Sequence, residues 1–383
     1  MRKIAFGSTG LQVSPLGFGC MRFPVIGNDN SMIDEEQAIE MVHHAIDNGI
    51  NYFDTAYPYH GYDFSIGGAS EPFLAKALKN GYREKVYMAT KLPSWLVESR
   101  KDMERFLNEQ LERLNTSHID FYLLHGLDKI NWEKLQRFGV LDFLDKAIES
   151  GKISYAGFSY HDESELFKEI VDAYDWTFCQ IQYNYMDEEY QAGKEGLLYA
   201  AEKGLAVVAM EPLRGGTLVN GLPPAARDLM HQVRPGRTSV GWALQWLWKQ
   251  AGVTMVLSGM SHLDHVKENL QLSNDYAQKQ WTEQDEDALK KVIGIIRGKQ
   301  MVDCTACNYC MPCPEGVNIP RNFALFNDYH MLQDPAAKLR YQRLLSDEAK
   351  ASNCIECGLC EPQCPQNIPI RAELKHVDEL LSN

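Results

Sequence analysis

Short β-rich runs alternate with longer amphipathic ones from about residue 14 to residue 272, and this rhythm constrains the fold more than any other feature. The strand candidates are PLGFGCM, INYFDTA, KVYMATKL, HIDFYLLH, KISYAGFSY, FCQIQYNY, LAVVAMEPL and VTMVLSGM, eight in all. Helical segments such as DEEQAIEMVHHAIDNG, RKDMERFLNEQLERLN, ESELFKEIVDAY and SVGWALQWLWKQAG lie between them. Several open on acidic, Ser or Thr caps and close on Gly or Asn, as helices tend to. In IEMVHHAID, Ile39, Val42 and Ile46 fall on one face at helical spacing. Strands separated by helices run parallel, because each helix carries the chain back along the sheet. Eight such units in roughly 260 residues fit a closed (β/α)8 TIM barrel better than an open doubly wound sheet. The opening RKIAFGSTGLQVSPLG predicts a β-hairpin turning at Ser8–Gly10 that caps the bottom of the barrel. After the eighth unit, TEQDEDALKKVIGIIRGK reads as one further helix, and Arg297–Lys299 marks a boundary. The expected domains are residues 1–297, an α/β barrel, and 298–383, a small, mostly helical domain. In the latter, AAKLRYQRLLSDEAKAS is expected as a helical insert between two cysteine runs.

A chain of 383 residues has room for one large and one small core. Its 45% apolar content is enough to fill them. A formal charge of −14 argues against nucleic acid and anionic membrane surfaces as partners, since both attract clustered Lys and Arg. MRKIAFGSTG has two basic residues with no long apolar stretch behind them, and LAVVAMEPL is too short to cross a bilayer. The expectation is a cytoplasmic protein with no nucleic-acid and no membrane partner.

Active sites in such barrels form where the strands end, so the last residues of each strand come first. FDTAYPYHG closes the second strand with Asp54, Tyr57 and Tyr59, ATKLP the third with Lys91, and YLLHG the fourth with His125. Each residue alone has an ordinary role: a packed tyrosine, a satisfied core histidine, a solvated lysine, a helix-capping carboxylate. Together they have a chemical use. A phenol can give a proton to a carbonyl oxygen if a nearby cation lowers its pKa from about 10. Lys91 would supply the charge, Asp54 would hold Lys91, and His125 would orient or polarise the carbonyl.

The stretches GFGCMRFP, NYFDTAYPYHG, ATKLP and IDFYLLHG, in that order, closely resemble the aldo/keto reductase superfamily, from residue 1 to about 297. The resemblance implies Asp54, Tyr59, Lys91 and His125 as a catalytic tetrad, with Tyr59 the proton donor in hydride reduction of an aldehyde or ketone. Tyr57 lies two residues too early for that role. The resemblance also implies NADPH extended over the barrel mouth without a Rossmann domain. In agreement, GFGCMR lacks the third glycine of a dinucleotide fingerprint. By the same resemblance Ser159 and Gln180 would hold the nicotinamide carboxamide. EPLRGG, with Pro212, Leu213 and Gly215, would wrap the pyrophosphate. Glu268 and Asn269 would meet the adenine, and Ser258 is a further expected cofactor contact. Three departures stand out. Met210 replaces an aromatic ring often stacked on nicotinamide, and Tyr160 an Asn that often follows the serine. Gly259 and His265 stand where basic residues usually meet the 2′-phosphate. Losing two cations weakens a phosphate preference, so NAD(P)H is expected with NADPH against NADH left open.

The tail holds eight of the ten cysteines, in CTACNYCMPCP and CIECGLCEPQCP. Clusters this dense, with no export signal, read as metal ligands rather than disulfides. Cys304, Cys307 and Cys310 share the spacing C-x2-C-x2-C with Cys354, Cys357 and Cys360. Cys313 and Cys364 follow, each before a proline. Eight thiolates would also suit two zinc sites, but zinc ligands come as pairs, and triplets followed by Cys-Pro favour iron–sulfur. The runs resemble bacterial two-cluster ferredoxins, in which the fourth cysteine serves the other cluster. That implies two 4Fe-4S clusters, one on Cys304, Cys307, Cys310 and Cys364, the other on Cys354, Cys357, Cys360 and Cys313. The first run has one residue fewer before its last cysteine, which leaves the cluster served by Cys313 open. Cys20 and Cys179 read as small buried residues. His262 and His265 read as surface or cofactor rim.

Three functions compete. In the first, an iron–sulfur-containing oxidoreductase reduces a small-molecule carbonyl with NAD(P)H, and the clusters are structural or auxiliary. In the second, a ferredoxin or other electron-transfer protein feeds single electrons through the clusters to a substrate in the barrel. The third is a non-catalytic redox-sensing subunit, against which an intact tetrad argues. The segments GYDFSIGG, LDKINWEKLQRFG and LVNGLPPAARDLMHQVRPG are read as specificity loops and carry no ligand signature.

Overall fold

The computed structural model describes residues 1–27, 29–275 and 281–382. Packing divides the chain into two compact units, residues 1–213 with 240–281, and 214–239 with 282–383.

In the first unit an antiparallel hairpin, β1 (Ile4–Ala5) and β2 (Gln12–Val13), precedes a barrel. The barrel strands are β3 (Leu16–Gly19), β4 (Tyr52–Asp54), β5 (Tyr87–Leu92), β6 (Ile119–Leu127), β7 (Ile153–Tyr160), β8 (Phe178–Gln182), β9 (Ala206–Met210) and β10 (Val253–Gly259). All eight are parallel, and β10 closes the sheet onto β3 by pairing Gly259 with Gly19. The expected fold class therefore holds, strand for strand.

The two-residue period of a strand decides what fills this barrel. Tyr52, Ala89, Phe121, Leu123, Phe178, Val208 and their neighbours form one buried apolar cluster near the strand starts. Phe6, between the hairpin strands, joins that cluster. Its ring lies 4.8 Å from Phe121 and 5.6 Å from Phe178, so the hairpin plugs the bottom. Gly157 on β7 leaves room for the Phe178 ring, which a Cβ there would approach to 2.4 Å. One or two steps further along the same faces, apolar residues give way to Asp54, Lys91, His125, Ser159 and Gln180.

Helices follow the strands as expected. Glu35–Asp47 is capped by the Asp34 carboxylate accepting from the Gln37 N–H, and it buries Met41, Val42, Ala45 and Ile46. Two of the three expected loops contain helix. Lys129–Arg137 starts at an Asp128 cap and buries Trp132 and Leu135, while Thr217–Asn220 and Pro224–Val233 lie in the other segment. Each buries only one or two apolar side chains, too weak a stripe to read as helical periodicity.

In the second unit, helix Glu283–Arg297 begins with a capping box between Thr282 and Asp285. Asp285 also accepts from Arg234 at 2.7 Å and Arg237 at 3.0 Å, tying residues 214–239 to this helix. The long tail helices are Ile319–Leu332 and Ile370–Leu381, and each starts six residues after the last cysteine of its run. The expected insert is only partly helical. After the turns Ala336–Leu344 the chain becomes extended at Leu345, ahead of Ser346 and Asp347, residues whose side chains compete for backbone partners.

Candidate active site

The polar residues at the strand ends meet at one place. The Lys91 ammonium donates to Asp54 Oδ1 at 2.6 Å, to the Thr55 carbonyl at 2.7 Å and to the Tyr59 hydroxyl at 3.3 Å. Lys91 and Asp54 are fully buried, and Asp54 Oδ2 has no partner among the described residues. Tyr59 and His125 stand edge to face, 5.9 Å apart, and both remain partly exposed. Trp95 lies 5.1 Å from His125 and donates its indole N–H to the Phe64 carbonyl. Tyr57 turns away, its hydroxyl donating to Glu109 at 3.0 Å.

The electrostatics assign a charge to each group. Burial lowers the Lys91 ammonium, but Asp54 and then Tyr59 raise it by more, so its pKa moves up. Burial pushes the Asp54 carboxyl up, and Lys91 pulls it back. Burial also raises Tyr59, with Lys91 opposing only in part. The expectation of a phenol below its ordinary pKa is thus not met, because desolvation outweighs the neighbouring cation. Burial, then the charge of Lys91, then His161 hold His125 well below the ordinary histidine range. At neutral pH Lys91 is an ammonium, Tyr59 keeps its proton and His125 is a neutral imidazole.

A buried network that the sequence reading missed supports this set. Glu71, at the start of helix Ser70–Ala77, accepts from Thr90 at 2.6 Å, Gln110 at 2.9 Å and Arg113 at 2.7 Å. Gln110 donates to the Lys91 carbonyl at 2.9 Å, and Arg113 to the Gly68 carbonyl. The Gly68 N–H in turn donates to the Tyr57 carbonyl, and the Ser70 N–H to that of Tyr59. A Cβ on Gly68 would lie 2.1 Å from the Tyr59 carbonyl oxygen, so only glycine lets these backbones meet. A Glu–Arg pair 42 residues apart leaves no periodic trace in sequence, which is why it escaped notice.

The expected cofactor residues occupy the ends of β7 to β10 and the segments just beyond them. Ser159 Oγ accepts from the Gly126 N–H at 2.7 Å. Gln180 has a weak contact from Nε2 to Met210 Sδ at 3.5 Å, and its buried Oε1 has no partner among the described residues. A buried amide oxygen without a donor fits a site that receives one from a ligand, such as a carboxamide N–H. Asn269 donates to Ser258 Oγ at 3.1 Å. Glu268 is partly exposed on the same helix, Leu263–Asp275. Pro212 and Leu213 come directly after β9, whereas Gly215, left-handed with φ 69°, falls in the second unit.

In that unit the two cysteine runs share one backbone. Ala306 and Asn308 in the first, and Glu356 and Gly358 in the second, are all left-handed. The Gly316 N–H donates to the Cys313 carbonyl and the Asn367 N–H to that of Cys364, each at 3.0 Å. Cys304, Cys307, Cys310 and Cys364 line one cavity. Cys313, Cys354, Cys357 and Cys360 line a second, where Cys310 also contributes. Among the described residues no three Cys, His, Asp or Glu side chains converge on a single ion. Four thiols for each cavity are the donor set that a 4Fe-4S cluster takes. Cys20 and Cys179 are buried in the barrel unit. His262 and His265 are exposed, their rings 6.0 Å apart. Among the described residues no helix is long and apolar enough to cross a membrane.

Comparison with known proteins finds two family matches along the chain. Residues 15–288 match the Aldo/keto reductase family, and residues 303–368 a 4Fe-4S dicluster domain. The uncharacterized oxidoreductase YrpG of Bacillus subtilis is 34% identical over 57% of this chain and 68% of its own. The uncharacterized oxidoreductase YqkF of the same organism is 28% identical over 72% and 92%. Among solved structures, the aldo-keto reductase AKR11C1 from Bacillus halodurans superposes with a TM-score of 0.58 at 28% identity, over 76% of this chain and 96% of its own. With a family match across most of the chain and a closed parallel barrel beneath it, the chain belongs to the aldo/keto reductase family, as an oxidoreductase that carries a 4Fe-4S dicluster domain C-terminal to its barrel.

Proposed function

We propose that this enzyme reduces an aldehyde or ketone at the mouth of the barrel, with Tyr59 as the proton donor. The observation that carries the reading is the hydrogen-bonded chain from Asp54 through Lys91 to Tyr59. NAD(P)H bound against Ser159 and Gln180 would supply the hydride. The Tyr59 hydroxyl would donate to the carbonyl oxygen and pass its proton there as negative charge develops. Lys91 would then stabilise the phenolate, and Asp54 keeps Lys91 charged and in place. His125, neutral, would direct an N–H at the same oxygen but has no acidic proton to give, which leaves Tyr59 as the acid. Trp95 and Phe64 would shield the site from water. A Tyr59→Phe change should lower turnover by about 10²- to 10⁴-fold while nucleotide binding persists. Unchanged turnover would remove Tyr59 from this role.

For the domains we propose the barrel as residues 1–297 and the cluster module as 298–383. We assign one 4Fe-4S cluster to Cys304, Cys307, Cys310 and Cys364, and the other to Cys354, Cys357, Cys360 and Cys313, the two groupings that line the cavities. A second reading is electron delivery from a ferredoxin-like donor through the clusters. It is favoured by Cys310 and Ile319, which stand in the walls of both cavities and would make the two clusters neighbours. Turnover with NAD(P)H alone, surviving Cys304→Ala and Cys354→Ala in a folded protein, would eliminate it.

A further inference from the structure

His60 follows Tyr59 directly and has a left-handed backbone, with φ 59°. A side chain in that region costs free energy that glycine avoids, so it persists only where its surroundings hold it there. Here the ring is what is held. It is 2% exposed, and its Nε2 accepts from the Phe23 N–H at 3.2 Å. Nε2 therefore carries no proton, and Nδ1 donates to the Asn30 carbonyl at 2.8 Å. Burial lowers the pKa of the ring, with the Asn30 bond opposing, so this neutral form holds at neutral pH. The ring also stacks on Phe23 at 5.9 Å, and Phe23 in turn meets Phe18 at 5.7 Å and Phe73 at 4.7 Å. From the same side, Asn30 Nδ2 donates to the Gly61 carbonyl at 3.2 Å.

Phe23 and Asn30 both belong to the segment between β3 and helix Glu35–Asp47, which leaves the barrel at the strand ends, where the polar side chains gather. That segment folds back on itself through the Val25–Ile33 bridge and leaves Met21, Ile26 and Met32 exposed. We propose that His60 is a positioning residue, clipping this loop to the segment that carries Tyr59 so that the mouth and the proton donor keep one arrangement. The inference rests on the carbonyl-reductase reading above, in which Tyr59 gives the proton. Both ring nitrogens are engaged by the loop, so His60 acts on the reaction only through its neighbours. Packing against Phe23 would need no more than a ring. The clip needs a donor and an acceptor on one rigid side chain, which the neutral imidazole supplies.

The test compares His60→Phe with His60→Gln in the anaerobically purified full chain. Phenylalanine keeps a ring against Phe23 but neither donates nor accepts, whereas the glutamine amide does both. Hydrogen exchange of a peptide spanning residues 20–34 reads the clip itself. It should quicken about tenfold in His60→Phe, as one lost hydrogen bond implies, and stay near wild type in His60→Gln. Turnover of 4-nitrobenzaldehyde with NADPH and with NADH reads the function. In His60→Phe kcat should fall roughly 10- to 100-fold, the effect of a donor displaced by about an ångström, while nucleotide affinity is kept. His60→Gln should recover most of that loss. Wild-type kcat in His60→Phe, equal losses in both variants, or unchanged exchange in His60→Phe overturns the role of His60 and leaves the reductase reading standing. Failure of the wild-type chain to bind either nucleotide overturns the reductase reading, and with it the effect on catalysis, while the exchange rates still decide whether the clip exists.

Discussion

Replacing Lys91 by Met asks whether the tetrad is a buried, ion-paired unit. Lys91 Nζ lies 2.6 Å from Asp54 Oδ1, the side chains are 0% and 2% exposed, and Asp54 Oδ2 has no partner among the described residues. Removing one member of such a pair costs about 3–5 kcal/mol, because the charge left behind keeps its desolvation penalty. Asp54 relieves part of that penalty by binding a proton. Burial already pushes its pKa up while Lys91 pulls it down, so without Lys91 it rises further. Between the two native-state values, folded Lys91→Met holds a proton that the folded wild type lacks, and both unfolded chains are ionised at Asp54. A carboxyl whose native pKa is raised loses stability as pH rises. The deficit of the variant therefore grows by about 1.4 kcal/mol per pH unit through that window. It should be smaller at pH 5 than at pH 8. All seven tryptophans lie in residues 1–213 and 240–281, so urea unfolding followed by their emission reports on the barrel unit. Adding Asp54→Asn should shrink the loss and abolish its pH dependence. Equal midpoint shifts at pH 5 and pH 8, or no relief from Asp54→Asn, would refute the ion-paired description.

Three more outcomes are open to direct measurement. His125, held below the ordinary range, should show no titration of its ring carbons by NMR between pH 6 and 8, and the pH–rate profile should carry no histidine limb there. A titration in that interval would make His125 a competing acid. Gly68→Ala places a methyl 2.1 Å from the Tyr59 carbonyl, so turnover should drop by at least about tenfold as the loop shifts, with a loss of about 1–3 kcal/mol in stability. Wild-type kinetics would show that the loop gives way freely. Anaerobic analysis should find about eight iron and eight sulfide per chain, falling by about half in Cys364→Ala. Zinc in place of iron would end the cluster assignment.

The features legible in the residues were local in origin. Each strand was visible because a run of Val, Ile, Phe and Tyr between turn residues is a property of a few adjacent positions. Asp54, Lys91 and His125 stood out for the same reason: the strand end determines which residue reaches the mouth. The helices at Lys129–Arg137 and Pro224–Val233 did not, since each buries so few side chains that periodicity is faint. Glu71 looked like any acidic residue in a first helical turn until Arg113, Gln110 and Thr90 closed around it.

Three things are written into the order of residues: the barrel, the strand ends that carry the polar side chains, and the duplicated cysteine spacing. All three arise from periods of two, three or four residues, which the chain encodes locally. Folding had to settle how the thiols divide between two cavities and which tyrosine meets Lys91. It also raised the Tyr59 pKa where a neighbouring cation alone would have lowered it, and it joined His60 to Phe23 and Asn30. These outcomes depend on burial and on contacts between residues far apart in the chain, and neither exists until the barrel closes.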